Sequence, residues 1–455
     1  MFSSIKKIHF VGIGGIGMSA IAEILINQGF SISGSDMSQS ENTDYLAKLG
    51  AQIFIGHNES NIEDAEVLIY SSAINPKENP ETAFALKKNI PVLRRAEMLS
   101  EVSRLNYTVA IAGTHGKTTT TSLVGLTMIK SGFDPTVIVG GRLRGLGGSN
   151  ARLGKVDWTV VEADEYDRSF LQLLPTVAVV NNIEPEHMDV YSDFDDLKNT
   201  FLEFVNKVPF YGFAAVGLDD AGVKEILSDI NKKIVTFGIS PHCDVRAENI
   251  IYENRESRFR VIEDGQELGE MTLNIPGLHN VKNALAAVTV ARRLGASFDD
   301  ISQAAKEFTG VFRRFEIKGE RDGMIFIDDY AHHPTEIKAS LKAAREGWKR
   351  RIVCIFQPHT YTRTQRFYKE FGRSFDNADM LVVTDVYPAR EKPIEGINGK
   401  LIADAAAQYG HRGVHYFPEK ETLMQNVTDI VREGDIVITM GAGDIWKLGD
   451  ELLNK

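Results

Sequence analysis

Three times along this chain a β-branched, apolar run leads into a glycine-rich or polar turn and then into a helical pattern. The first restart is Lys7-Ile8-His9-Phe10-Val11, followed by glycines and a helix over 18–28. The second is a strand over 107–112 with a helix over 117–130, and the third begins near Val311. Further strands are expected at 31–33, 67–70, 158–161, 177–180, 351–356, 380–384 and 435–440, and a helix at 281–293. Asp264-Gly265 suits the type I′ turn of a β-hairpin. Strands that alternate with helices build parallel sheets covered on both faces. The expected fold class is therefore α/β with three domains, over 1–105, 106–310 and 311–455. The first and third are Rossmann-like and the central one is built on a P-loop-type turn. A chain of 455 residues has room for about three such units.

Composition narrows the function. Apolar residues make up 43% and charged residues 25%, as in an ordinary globular protein. The net charge of -11 argues against nucleic-acid binding, which needs a basic face. Two cysteines, Cys243 and Cys354, are too few and too far apart for a disulfide framework or a zinc site, and read as buried small residues in a reducing compartment. The apolar stretch over 8–26 is broken by four glycines and Glu23, which suits a strand–turn–helix rather than a signal peptide or membrane span. The expected location is cytoplasmic, with no membrane insertion.

The chemistry lies in the turns. Gly12-Ile13-Gly14-Gly15-Ile16-Gly17 matches G-x-G-x-x-G between a strand and a helix, with Asp36 at the end of the next strand. Such a turn sets backbone N–H groups and a helix N-terminus against a diphosphate, without saying which nucleotide carries it. Gly113-Thr114-His115-Gly116-Lys117-Thr118-Thr119 also joins a strand to a helix. Gly116 lets the backbone approach phosphate, Lys117 supplies a point charge, and a threonine hydroxyl can bind magnesium. Ile111 stands where a full Walker A has its first glycine. Glu162-Ala163-Asp164-Glu165 and the 181–189 stretch, which holds Glu184, Glu186, His187 and Asp189, follow two neighbouring strands. Their carboxylates are natural magnesium ligands; solvated helix caps are the plain alternative. Asn280 could be an N-cap, and Asn283, one turn inside a helix, is placed to bond a base edge. Phe312-Arg313-Arg314-Phe315-Glu316, Asp328 to Pro334 and the basic loop Pro358 to Arg366 offer a charge clamp and a carboxylate-binding surface.

Taken in order, these segments resemble the Mur ligases of peptidoglycan synthesis over nearly the whole chain. The resemblance implies UDP-sugar-binding, ATP-binding and amino-acid-binding domains, with ATP and Mg2+ required. It implies that L-alanine is joined to UDP-N-acetylmuramate through an acyl phosphate, with third-domain closure excluding water. Gly15, Ile16, Gly17 and Met18 should face the diphosphate and Asp36 the uridine, with Ser35, His57, Ser71, Ser72 and Ala73 completing that pocket. Gly113, Thr114, His115, Gly116, Lys117, Thr118, Thr119, Asn280, Asn283, Arg314 and Asp329 should hold ATP. Lys117, Glu162, His187 and Arg314 are the expected catalytic groups, and Thr118, Glu162 and His187 the metal ligands. Tyr330, His332, His359 and Arg363 should receive the amino acid. Some sister ligases carry a carbamoylated lysine where this chain reads Thr200-Phe201-Leu202-Glu203, so none is assigned. Thr360, where many alanine ligases have arginine, leaves Arg363 as the carboxylate partner. Three other functions compete: a ligase recycling a preformed peptide, an NAD-dependent oxidoreductase resting on the first glycine turn alone, and a nucleotide-binding switch. The oxidoreductase leaves the second glycine turn unexplained, and the switch leaves the third-domain arginines unexplained.

Overall fold

The computed structural model describes residues 5–62, 64–104, 106–141, 149–188, 190–389 and 391–454, with the side chains of Lys420 and Glu421 left aside. By contact density the chain divides into two compact units. One comprises 1–248, 261–269 and 282–308, and the other 249–260, 270–281 and 309–455.

The first unit starts with strands β1 (Lys7–Val11), β2 (Ser31–Asp36), β3 (Gln52–Ile55), β4 (Val67–Tyr70) and β5 (Val92–Arg94). They form a sheet of order β3-β2-β1-β4-β5, parallel throughout. Helices α1 (Ile16–Asn27), α2 (Glu41–Lys48), α3 (Pro80–Lys87) and α4 (Arg95–Ser103) connect it. The order turns back between β1 and β4, and the crevice at such a switch point is where open α/β sheets bind ligands. The glycine turn after β1 opens there.

A second sheet follows. Its strands in this unit are β6 (Tyr107–Ala112), β7 (Thr136–Ile138), β8 (Ala151–Arg152), β9 (Trp158–Glu162), β10 (Val177–Val180), β11 (Phe213–Gly217) and β12 (Ile234–Gly238), in the order β12-β11-β10-β6-β9-β7-β8. All neighbours are parallel except β7 and β8. Val109 to Ala112 and Val177 to Val180 are buried, as strands covered on both faces require. Helix α5 (Lys117–Lys130) starts directly from the loop after β6. Strands β13 (Val245–Glu253), β14 (Glu256–Glu263) and β15 (Gln266–Leu273) include the expected hairpin. Asp264 and Gly265 at its tip have φ of 50° and 81°, both positive as a type I′ turn demands.

The second unit carries β16 (Glu316–Arg321), β17 (Met324–Asp329), β18 (Ile352–Phe356), β19 (Met380–Val383), β20 (Val414–Tyr416) and β21 (Ile436–Met440), ordered β16-β17-β21-β18-β19-β20. Only the β16–β17 pair is antiparallel. Between residues 311 and 350 no strand was expected from sequence, yet β16 and β17 lie there. The charges at Glu316, Lys318, Glu320 and Arg321 hide β16 because it is an edge strand, where charge blunts pairing. Both cysteines are buried thiols, as expected.

The helix expected at 281–293 spans Leu278–Arg293. Its first turn closes on Gly277, whose carbonyl accepts from the Asn280 and Val281 N–H groups at 3.0 and 3.1 Å. Asn280 is therefore not the N-cap. Its amide instead donates back to the Pro276 carbonyl at 2.7 Å.

Candidate functional site

Three groups of side chains gather at the carboxyl ends of these strands. The first surrounds the turn after β1. Gly14 N–H donates to the Asp36 carboxylate at 2.9 Å, and Gly12 and Ile13 N–H groups donate to the Ser35 carbonyl. Asp36 thus pins the glycine turn at the end of β2. The Ser35 hydroxyl is fully buried between His57 Nδ1 (2.9 Å) and Glu81, which also accepts from Asn61 (2.6 Å) and faces His9 Nε2 at 3.6 Å. Glu81 was missed from sequence. Burial alone would raise its carboxyl, but the hydrogen bonds from His9, Ser35 and Asn61 hold it below the usual range. Ser71 packs beside Gly12, while Ser72 and Ala73 are exposed. Gly15 and Ile16 are exposed and Gly17 half-buried at the head of α1. Met18 departs from expectation. Its N–H closes the first helical turn on the Gly15 carbonyl and its side chain lies in the apolar core, so neither is offered to a ligand.

The second group surrounds the loop after β6. Gly116 has φ +80°, and a Cβ there would meet Asn283 Oδ1 at 2.5 Å and Asn181 Nδ2 at 3.2 Å; only glycine satisfies both limits. Asn283 therefore packs against this loop. The loop after the neighbouring strand β10 clamps it: His115 N–H donates to Asn182 Oδ1 (2.7 Å), Thr114 N–H to the Asn182 carbonyl (3.1 Å), and Glu184 N–H to the Thr114 hydroxyl (2.8 Å). His115 Nε2 stands 3.6 Å from Glu184. Lys117 Nζ curls back to the Gly113 carbonyl (2.8 Å) and pairs with Glu165 (2.7 Å). Burial alone would lower the lysine's pKa; the carboxylates of Glu165, Asp164 and Glu162 outweigh it and hold Lys117 charged well above its ordinary range. Glu165 is buried, and desolvation pushes its carboxyl up to about 7 against the pull of Lys117.

Glu162 is held from two sides, by the Thr118 hydroxyl (3.1 Å) and the Gly140 N–H (2.8 Å). Thr119 is buried one position further along α5. His187, at φ 55°, faces Glu165 with Nε2 3.7 Å from Oε1. Glu165, Glu186 and His187 each present a ligand atom within 4.8 Å of the others. Carboxylate oxygens with one imidazole fit a hard divalent cation. The expected metal set is thus divided in its contacts, with Thr118 on Glu162 and His187 on Glu165. Glu165 and Glu186 belonged to motifs already singled out, but nothing in their spacing marked them. Asp189 lies outside the described residues.

The third group belongs to the second unit. Tyr330 lies between two guanidinium groups, Arg313 at 5.0 Å and Arg314 at 4.9 Å from its ring centre. Arg313 is tied to Asp328 (3.2 Å) and the Gly441 carbonyl (2.7 Å), while Arg314 is half-buried near Glu336 (3.6 Å). Asp329 is buried, accepts from Ser340 and from Ala331 N–H (3.0 Å), and is pushed up to about 6 by desolvation. His332 Nδ1 sits 3.0 Å from the Tyr330 carbonyl, and its ring is 6.0 Å from that of His359. Arg363 Nη1 reaches to 3.4 Å of His359 Nδ1. Tyr387, missed from sequence, stacks on His359 at 5.8 Å, and its carbonyl accepts from Thr360 N–H at 2.9 Å. That bond helps hold Thr360 at φ 67°, a strained conformation for a β-branched residue of the kind concentrated at functional sites.

Comparison with known proteins accounts for this layout. Three family profiles match in chain order: Mur ligase family, catalytic domain over 7–107, Mur ligase middle domain over 111–291, and Mur ligase, glutamate ligase domain over 313–443. The chain belongs to the Mur ligase family and is an ATP-dependent ligase of three-domain α/β architecture. It is 49% identical over 455 residues to the UDP-N-acetylmuramate–L-alanine ligase of Geotalea daltonii, covering 100% of this chain and 99% of that protein. A ligase of the same name from Salinibacter ruber is 51% identical over 447 residues, 98% of this chain and 94% of that one. The crystal structure of the UDP-N-acetylmuramate–alanine ligase of Thermotoga maritima superposes with a TM-score of 0.85 at 31% identity, covering 98% of each chain. A murein peptide ligase from Psychrobacter arcticus shares the fold, with a TM-score of 0.72 at 23% identity over 99% of this chain and 98% of that one.

Proposed function

We propose that this enzyme joins L-alanine to the lactyl carboxylate of UDP-N-acetylmuramate, converting ATP to ADP and phosphate, in the cytoplasmic phase of peptidoglycan synthesis. The observation that carries the substrate assignment is the identity, 49% and 51% over essentially full length, to ligases named for that reaction.

A lactyl oxygen attacks the γ-phosphorus, ADP leaves, and an acyl phosphate forms. The alanine amine then adds to the acyl carbon, and the tetrahedral adduct expels phosphate and loses the amine proton. Carboxylate and triphosphate repel each other, so the first step needs positive charge that is already in place. Lys117 supplies it from the head of α5, where Gly113 and Gly116 let the backbone approach phosphate. Glu165 keeps that ammonium charged and directed until the nucleotide competes for it. Magnesium, when bound, neutralises phosphoryl oxygens. Thr118 with Glu162, and His187 with Glu165 and Glu186, are the groups that would hold it. Asn283, Arg314 and Asp329 serve the nucleotide, and His57, Ser71 and Asp36 the uridine and its turn. Tyr330, His332, His359 and Arg363 form the amino-acid pocket, with Tyr387 behind His359. The proposed domain limits are 1–105, 106–310 and 311–455.

The test is phosphate release with ATP, magnesium and UDP-N-acetylmuramate, offering each amino acid and the tripeptide in turn. Alanine should be the preferred acceptor. A clear preference for the tripeptide would transfer the chain to the recycling ligases.

A further inference from the structure

Glu165 and His187 follow strands that are not neighbours. The order β10-β6-β9 sets β6 and its phosphate loop between them, so two strand spacings, about 10 Å, separate the strands that lead into the two segments. Yet Glu165 Oε1 and His187 Nε2 stand 3.7 Å apart. The two segments are drawn together across the loop, and one residue bonds to both.

That residue is Tyr191. Its N–H donates to the His187 carbonyl at 3.1 Å, and its hydroxyl donates to the Glu165 carbonyl at 2.5 Å. The residue is only 2% exposed, so the ring spans the interior as a fixed strut. Arg168 closes over it. The guanidinium lies 4.8 Å from the Tyr191 ring centre, donates to the Thr200 hydroxyl at 3.0 Å and pairs with Asp196, both on helix α6 (Phe194–Val205). The Arg168 N–H donates to the same Glu165 carbonyl at 3.0 Å. The chain makes these contacts with Asp167 and Arg168 in the left-handed region, at φ 53° and 60°, and His187 lies there too at 55°. Such strain in non-glycine residues persists only where surrounding contacts over-determine it, and it concentrates at functional sites.

We propose that Tyr191, braced by Arg168, is a positioning residue that fixes the spacing of Glu165 and His187 and thereby the affinity for the divalent cation. Neither residue touches the ion. Because Tyr191 ties the backbone, it takes no carboxylate oxygen of Glu165 from Lys117 or from the ion. Magnesium demands near-ideal octahedral geometry at about 2.0–2.1 Å, so a small drift of either segment loosens it. The inference rests on the reading of Glu165, Glu186 and His187 as cation ligands, and the experiment separates the two.

Binding of Mn2+ is measured on the full chain with ADP present, from the loss of the free-ion electron paramagnetic resonance signal. Wild type is compared with Tyr191→Phe, Arg168→Ala, Arg168→Lys and the Tyr191→Phe/Arg168→Ala double variant. Tyr191→Phe keeps the ring and its packing and removes only the bond to Glu165. It should raise the Mn2+ dissociation constant by about 10-fold, as losses at outer-shell positions do, while ADP binding without metal is unchanged. Arg168→Ala should weaken Mn2+ to a similar degree. Arg168→Lys should fall between, since lysine pairs with Asp196 without the fork that also reaches Thr200. The double variant should add little to Tyr191→Phe, because the arginine acts through the tyrosine. Mn2+ binding by Tyr191→Phe within about twofold of wild type would overturn the proposal, and so would an equal loss of metal-free ADP binding. A Glu165→Gln variant that binds Mn2+ as tightly as wild type would instead overturn the ligand assignment.

Discussion

The Lys117 ammonium stands 2.7 Å from the Glu165 carboxylate, at the start of the helix that follows the phosphate loop. The lysine that the mechanism needs on the nucleotide is thus held by an internal partner, and each carboxylate near it raises its affinity for a proton. Incoming phosphate replaces part of that interaction rather than meeting a mobile side chain. Lys117→Ala should cut phosphate release by about a thousandfold or more, since it removes the charge that meets the transferring group. It also strands the buried Glu165 charge, so the variant should melt lower than wild type. Steady-state phosphate release beside a thermal melt checks both; near-normal turnover would remove Lys117 from the chemistry.

Gly140 bears on the metal. A Cβ at that position would lie 2.6 Å from Glu162 Oε2, and the Gly140 N–H already holds that oxygen. Gly140→Ala should therefore turn the Glu162 carboxylate away and raise the magnesium concentration for half-maximal activity by about tenfold, in line with losses at outer-shell positions. A magnesium titration at saturating substrates reads this, and an unchanged midpoint would show that Glu162 is not a ligand.

Arg363 bears on acceptor selection. Its guanidinium lies 3.4 Å from His359 Nδ1, in the first turn of the helix Tyr361–Gly372 that follows β18, where the sequence suggests a loop to Arg366. Arg363→Ala should raise the Michaelis constant for alanine by about 10- to 100-fold and leave UDP-N-acetylmuramate binding in place, because a charge-assisted pair with a carboxylate is lost. Arg363→Lys should recover part of that loss. Kinetics with alanine varied at saturating ATP and sugar nucleotide decide it. An unaltered alanine constant assigns the carboxylate to His359 or Arg366.

His359 bears on stability. Burial pushes its pKa down to about 4, and the charges of His332, Arg363 and Arg313 push the same way against Glu391. A histidine whose folded value lies below its unfolded value contributes stability that is complete above about 6.5 and is lost as the pH falls through 4. Melting temperature should therefore fall between pH 6.5 and 4, and His359→Gln should flatten that decline. An identical decline in the variant would locate the acid sensitivity elsewhere.

Much of this was legible in local pattern. The β6 run, the phosphate loop and α5 read directly, because Tyr107 to Ala112 is a continuous β-rich run and Gly116-Lys117-Thr118 follows it at once. Asp36 at the end of β2 was singled out on spacing as a ligand contact, but its bond to the Gly14 N–H was not foreseen. The partners that orient these groups were not readable. Glu81, Tyr191 and Tyr387 come from separate elements and carry no local motif, and Glu165 was one of several acids in its segment. The burial of the Met18 side chain was not readable either, because a motif names consecutive residues, while a helix sends consecutive side chains in different directions.

The amino-acid order by itself determined the alternation of strands and helices, the two glycine turns and the types of group at each strand end, since hydrophobic period and glycine placement act within a few residues. Tertiary structure alone decided which acid meets Lys117, which oxygen of Glu162 is held by Gly140, and which carbonyl accepts from the Tyr191 hydroxyl. Those contacts join positions from 22 to 48 residues apart, and parallel sheet order, rather than any local preference, brings them together.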